Sequence, residues 1–275
     1  MPEKPRTAGG YRREHLALVR ATCLYIATKL GDLMDDLVVV GGLVPSLLVD
    51  QESGEAGFER HAGTMDLDIG LTAALLDRGK YREISDRLRR SGFAPDDNAA
   101  GNPTRQRWKI VAQEKVTIDF LMPPTSADER GGSLRDLEPD FAAVVAPGLQ
   151  LAFRDRVLVS LSGQTIAGED ATRDIWVCGA GAFVVLKALA FGLRGENKDA
   201  YDLFYVLRNY GAGVESVVER LKPLLDDEDA VKAAISEAER NTTGEIRVSV
   251  STFFWGDVRK TAERAFERLG IAAAA

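Results

Sequence analysis

The hydrophobic pattern opens on a helix. From Arg12 onward, Val19, Cys23, Ile26 and Leu30 recur at three- and four-residue spacing, with His15 on or beside the same face, and Gly31 ends the run. His15 is therefore expected to be a packed side chain. Residues 1–10 are polar, with Pro and paired Gly, and are expected to be disordered. Residues 37–40, Leu-Val-Val-Val, read as a short strand that stops at Gly41-Gly42. Residues 43–48 continue as a helix with Pro45 in its first turn, where a missing N–H is harmless. The polar stretch 51–63 reads as a loop carrying Arg60 and His61. It leads into Gly63-Thr64-Met65-Asp66-Leu67-Asp68-Ile69-Gly70-Leu71, where period-two geometry puts Leu67, Ile69 and Leu71 on one face. Asp66 and Asp68 then stand exposed on the other.

Thr72 can cap a helix that buries Tyr81, Ile84 and Leu88, shows an arginine-rich face to solvent and ends before Gly92. Two strands follow, 104–112 and 116–122, joined through Gln113-Glu114-Lys115. Burial argues their register: a three-residue loop opposes Ile110 to Ile118 and Trp108 to Phe120, whereas a two-residue loop would oppose Lys109 and Arg107 to them. The first register puts Arg105, Arg107 and Lys109 on the face of Asp119. Pro123-Pro124 closes this unit; 126–147 reads as a turn-rich connection and 149–161 as strand pairing. From Cys178 the chain turns helical, with Lys187 the only charge between 178 and 193. Gly195 breaks that helix, Asn197 caps the next, and Ala200, Leu203, Phe204 and Leu207 give it an apolar stripe. Amphipathic helices follow Gly211, with Asp226-Asp227-Glu228-Asp229 capping the one that carries Val231, Ala234, Ile235 and Ala238. A strand over 246–250 and a helix over 257–269 finish the pattern. The prediction is an α/β (α+β) protein: 11–165 form a small mixed sheet flanked by helices, and 166–275 form a mainly helical domain.

Composition narrows the class. With 275 residues and 45% hydrophobic content, the chain can bury one large core or two modest ones. Its charge-free runs, 37–49 and 177–186, are too short for a membrane span. No apolar signal segment follows Met1, so a cytoplasmic protein is expected. The two cysteines, Cys23 and Cys178, lie in apolar contexts and are expected to be buried free thiols. A net charge of −7 and a pI near 5.1 argue against generic nucleic-acid affinity, leaving room only for a local basic patch.

The candidate chemistry lies on the strands. Asp66 and Asp68, about 7 Å apart by strand rise, would repel by roughly 2 kcal/mol at an effective dielectric of about 20. That repulsion asks for a cation or a wet surface, and Asp119 on a further strand tips the choice toward a cation. Hard divalent cations want oxygen ligands, and the Gly41-Gly42 amides at a helix start can approach phosphates. Two metals held this way would serve an in-line displacement. Lys187, an ammonium on an apolar helix, needs water, a carboxylate or a phosphate. Asp199 and Asp202 share a face of the following helix, where Asp202 can pair with Lys198. Arg105, Arg107 and Lys109 would hold nucleotide or RNA phosphates, or else serve as structural ion pairs, with Lys109 neutralising Asp119. His61, on its loop, receives no assigned role.

Gly41-Gly42, then Met65-Asp66-Leu67-Asp68, then Ile118-Asp119-Phe120, resemble the nucleotidyltransferase superfamily signature of a Gly-Gly turn, an Asp-x-Asp strand and a third strand Asp. The segment Leu186-Lys187-Ala188-Leu189-Ala190, Arg194 and Lys198-Asp199-Ala200-Tyr201-Asp202-Leu203 resembles the AbiEii/AbiGii branch of toxin–antitoxin and phage-defence nucleotidyltransferases. The resemblance implies an α/β nucleotidyltransferase domain followed by a helical one, with Mg²⁺ (Mn²⁺ as the alternative ion) and a nucleoside triphosphate at Asp66 and Asp68. It further implies an acidic role for Asp119, and nucleotide binding or catalysis by Lys187, Asp199 and Asp202. The acceptor implied is RNA, notably a tRNA 3′ end, and the partner a cognate antitoxin, with no membrane involved. Two other readings stand beside it: an aminoglycoside-type transferase acting on a small molecule, and a non-catalytic nucleotide-binding regulatory module.

Overall fold

The computed structural model describes residues 5–52, 59–72, 78–126 and 128–231. A 3-10 turn at Ala8–Gly10 precedes helix α1 (Arg13–Leu30), strand β1 (Leu37–Val40), the short helix α2 (Val44–Leu48), β2 (Asp66–Leu71) and α3 (Arg78–Arg90). Next come β3 (Ala94–Asp97), β4 (Pro103–Val111), β5 (Lys115–Met122), β6 (Leu134–Glu138), β7 (Phe141–Val145) and α4 (Leu149–Arg154). The described chain closes with β8 (Arg156–Gln164), β9 (Asp170–Cys178), α5 (Ala180–Arg194), α6 (Asn197–Asn209) and α7 (Val214–Leu221).

The strands form one mixed sheet in the order β3-β4-β5-β2-β1-β9-β8, with β7 pairing β5 and β6 pairing β7. Hairpin neighbours run antiparallel, while β1–β9, β2–β5 and β5–β7 are parallel. The expected mixed sheet flanked by helices is therefore present. Alternation drives the central strands: Val116, Ile118, Phe120 and Met122 of β5 are all buried, each burial contributing about 1.5–3 kcal/mol. β1, with its four residues all buried, lies between β2 and β9 at the centre of the core. Cys23 and Cys178 are free thiols inside that core.

Several expectations are corrected. The β4–β5 hairpin keeps the expected face parity but is shifted by two residues: Trp108 opposes Ile118, Ile110 opposes Val116 and Arg107 opposes Asp119. Val111 pairs Lys115, so the three loop residues are 112–114 rather than 113–115. Both registers bury the same apolar set, so burial alone could not separate them. The expected strand pairing over 149–161 begins instead as α4. Leu149, Leu151 and Phe153 alternate, and over six residues the periods of helix and strand are indistinguishable. The 126–147 connection contains the β6–β7 hairpin. The helical region starts at Ala180, after β9 and two residues from its expected start near Cys178, and residue 165 lies in the loop of the β8–β9 hairpin.

Residues 5–10, within the stretch expected to be disordered, carry the Ala8–Gly10 turn. Asp227 does start a helical turn, its Oδ1 accepting from the Asp229 N–H at 3.0 Å. Ala234, Ile235, Ala238, the 246–250 strand and the 257–269 helix lie outside the described residues, as do residues 1–4, 53–58 and 73–77. Among the described residues, no helix is long and apolar enough to cross a membrane.

Candidate functional site

β2 and β5 run parallel with Asp68 directly beside Asp119, and β2 alternation brings Asp66 to the same face. Carboxylate oxygens of Asp66, Asp68 and Asp119 lie within 4.8 Å of one another, a spacing that suits a shared cation. The strand is not the exposed face the alternation predicted. Asp66 retains 6% exposure and Asp68 is half-buried, because the Gly41-Gly42 turn and the segment before β2 close over them. Gly41 has φ +70°, and a Cβ there would overlap Asp68 Oδ2, so glycine is required both for the backbone and for the carboxylate. At Gly42, a Cβ would come 2.6 Å from Thr64 Oγ1, the hydroxyl that donates to Asp66 Oδ1 at 3.1 Å.

The basic stripe disperses. Arg107 alone stands against the acidic cluster: its Nε donates to Asp119 Oδ1 at 2.7 Å and its Nη2 to Asp119 Oδ2. That bidentate pair, helped by Asp66 and Asp68, holds the guanidinium above its ordinary pKa. Lys109, offered as a partner of Asp119 or of nucleotide phosphates, pairs instead with Asp97 at 2.5 Å and Asp96 at 3.5 Å. The two-residue shift moved it past Asp119. Arg105 pairs with Asp136 at 2.8 Å.

The helical side supplies a second charge cluster. Lys187 Nζ on α5 lies 2.9 Å from Asp199 Oδ1 and 2.7 Å from Asp202 Oδ2, both on α6. Burial alone would lower the ammonium's pKa, but the two carboxylates outweigh it and hold Lys187 above the usual lysine range. Arg194 donates to both oxygens of Asp199, at 2.6 and 2.8 Å, and Lys198 pairs with Asp202 as the i, i+4 spacing predicts. Burial would raise the Asp202 carboxyl, yet Lys187, Lys198 and His61 keep it well below the carboxylate range. With His61 neutral, Lys187, Arg194 and Lys198 stand against Asp199, Asp202 and the Glu196 that lines the same cavity, so the helical side brings three cations toward the carboxylates of the sheet with its own charge balanced.

His61, unassigned from sequence, is buried here. Its Nδ1 accepts from the Gly63 N–H at 3.1 Å, so Nε2 carries the proton and donates to Asp202 Oδ1 at 2.8 Å. The ring stacks on Tyr201 at 5.2 Å and meets Tyr205 edge-on at 4.9 Å. The Ala62 N–H donates to the Tyr201 hydroxyl at 2.8 Å. These contacts tie the chain entering β2 to α6, which makes His61 a positioning residue. His15 is packed as expected: its Nε2 lies 3.0 Å from the Met65 carbonyl and its Nδ1 3.2 Å from Glu114.

A cavity of about 550 Å³ joins the two clusters, within the size range of small-ligand sites. Gly42, Thr64, Asp66 and Asp68 line its sheet side, and Lys187, Arg194, Lys198, Asp199 and Asp202 its helical side. Of the expected site residues, Gly41, Asp119, Arg107 and Lys109 are not in its lining; the first three stand directly behind it against Asp68 or in the acidic cluster, and Lys109 is at the β3 edge. Pro5, Arg6 and Tyr11, which carried no sequence signal, are in the lining.

Comparison with protein-family models and with curated protein sequences gives no match. Among solved structures, the chain is similar to an antigenic nucleotidyltransferase-like protein from Paracoccidioides brasiliensis. Identity is 15%, covering 78% of this chain and 93% of that chain, with a TM-score of 0.41. At that level of likeness the neighbour's activity does not transfer to this chain.

Proposed function

We propose that the chain is a divalent-metal-dependent nucleotidyltransferase that moves a nucleotide from a nucleoside triphosphate to an acceptor hydroxyl. The observation that carries this reading is the two-sided cavity, with clustered carboxylates on the sheet and Lys187, Arg194 and Lys198 on the helices. The donor set fits Mg²⁺ or Mn²⁺: all-oxygen, anionic and spaced to share an ion, with Asp66 and Asp68 as holders and Asp119 alongside. When bound, the ion supplies charge neutralisation for phosphate oxygens. Lys187, Lys198 and Arg194 orient and neutralise the rest of the triphosphate, and Gly42 lets the backbone approach it. The acceptor oxygen attacks the α-phosphorus as the α–β bridging bond breaks. Pyrophosphate leaves with the bridging oxygen, and the acceptor proton passes to the carboxylate cluster. Both oxygens of Asp119 are engaged by Arg107, so passage to Asp119 requires that pair to open.

The finer assignment follows the sequence resemblance: an RNA 3′ end, such as that of tRNA, as acceptor, and a cytoplasmic toxin held in check by a cognate antitoxin. One observation favours a small hydroxylated acceptor instead. Arg105, Arg107 and Lys109, expected to bind an RNA backbone, are dispersed to the separate partners Asp136, Asp119 and Asp97 and are not in the cavity lining. Incubation with each α-labelled triphosphate, Mg²⁺, total RNA and cell protein, with small hydroxylated compounds in a parallel reaction, separates these. Label on RNA supports the RNA assignment, label on a small compound replaces it, and no label with no pyrophosphate released under any acceptor rejects transferase activity altogether.

A further inference from the structure

The cavity has a wall built from the segment that precedes α1. There the Gly10 N–H donates to the Thr7 carbonyl and the Tyr11 N–H to the Ala8 carbonyl, each at 3.1 Å, while Ala8 and Tyr11 pack against the core. The turn is tight enough that a Cβ at Gly10 would sit 2.5 Å from the Pro5 Cβ. The segment therefore has its own internal bonds and a fixed seat. Pro5, Arg6 and Tyr11 all reach the cavity lining, and among the described residues Tyr11 is the only aromatic one in it. The Lys198 ammonium lies 5.4 Å from the ring centres of both Tyr11 and Tyr201, which ties Tyr11 to the cluster around Asp202.

We propose that Tyr11 is the base-side wall of the nucleotide site, its ring stacking on the nucleobase while the charged groups take the phosphates. This rests on the nucleotidyl-transfer reading above. The lining divides by chemistry. Asp66, Asp68, Lys187, Lys198 and Arg194 suit a metal and phosphates, but a nucleobase needs a planar, weakly polar surface, and Tyr11 supplies it. Stacking tolerates any base, so Tyr11 contributes affinity without choosing among the four.

The test titrates the full chain in Mg²⁺ with each of the four ribonucleoside triphosphates and, separately, with inorganic triphosphate. Wild type, Tyr11→Ala and Tyr11→Phe are compared. Tyr11→Ala is expected to weaken nucleoside triphosphate binding about tenfold while inorganic triphosphate binding stays within about twofold, and Tyr11→Phe keeps both. Equal losses for both ligands would make Tyr11 a structural or electrostatic prop and overturn the assignment. Unchanged binding would do the same, and tighter nucleotide binding by Tyr11→Ala would recast the segment as an obstruction. A wild type that binds none of the four nucleotides removes the transferase reading itself, an outcome distinct from a Tyr11 variant that behaves like wild type.

Discussion

Lys187 sits between two buried carboxylates, sharing Asp199 with Arg194 and Asp202 with Lys198 and His61. Removing it leaves Asp199 and Asp202 facing each other with less compensation, and breaking a buried pair from one side costs about 3–5 kcal/mol. Lys187→Met is expected to lower the unfolding free energy by about that amount, whereas Arg194→Met, at a side chain 55% exposed, should cost much less. Equal effects in equilibrium denaturation would contradict the assignment of Lys187 as the central counter-charge. His61 makes a pH prediction. Burial and the Lys198 charge push it down to about 4 from its ordinary 6.5. As pH falls the unfolded chain takes up this proton first. The stability His61 contributes is therefore complete above about 6.5 and is lost progressively toward about 4. Thermal melts of wild type and His61→Phe across that window check this: the wild-type midpoint should fall more steeply with acid, and parallel curves would contradict a buried neutral imidazole.

At the scale of elements, the site is made where a turn meets a strand. Gly41 ends β1 in a positive-φ conformation beside Asp68 of β2, so Gly41→Ala incurs about 1–3 kcal/mol of backbone strain and also displaces the carboxylate. Gly92 offers the control: φ +87° with nothing within 4 Å of a Cβ. Both substitutions are expected to lower the melting temperature, but only Gly41→Ala should lower transfer activity measured well below the melt. Equal activity would mean that Asp68 is not positioned by this turn.

The sequence carried some of this well. Alternation in β2 and β5 put Asp66, Asp68 and Asp119 on sheet faces, and Lys187 stood out as a charge in an apolar helix. Other parts had no local signal. The parallel β2–β5 pairing depends on a long crossover, and the β4–β5 register was degenerate under burial. His61 and Tyr11 gain their roles from partners on α6, reached only through the fold.

Over the whole molecule, net charge decides what the surface attracts. At −7, with Arg105, Arg107 and Lys109 each paired to an acid, and the α3 arginines Arg82, Arg87, Arg89 and Arg90 paired to carboxylates as well, these basic groups are locally neutralised toward a nucleic-acid backbone. Random-sequence duplex RNA is expected to give no complex in a gel shift at about 0.15 M salt, even if an RNA 3′ end is the acceptor, because only the end would enter the cavity. A salt-sensitive complex with duplex would reveal a phosphate-binding surface elsewhere. The central claim is that the β2 carboxylates hold the metal for nucleotidyl transfer, and Asp68→Asn tests it most directly. With Mg²⁺ and α-labelled triphosphate, the variant should melt like wild type yet transfer label and release pyrophosphate at least about a hundredfold more slowly. A folded Asp68→Asn chain that transfers at the wild-type rate would contradict it.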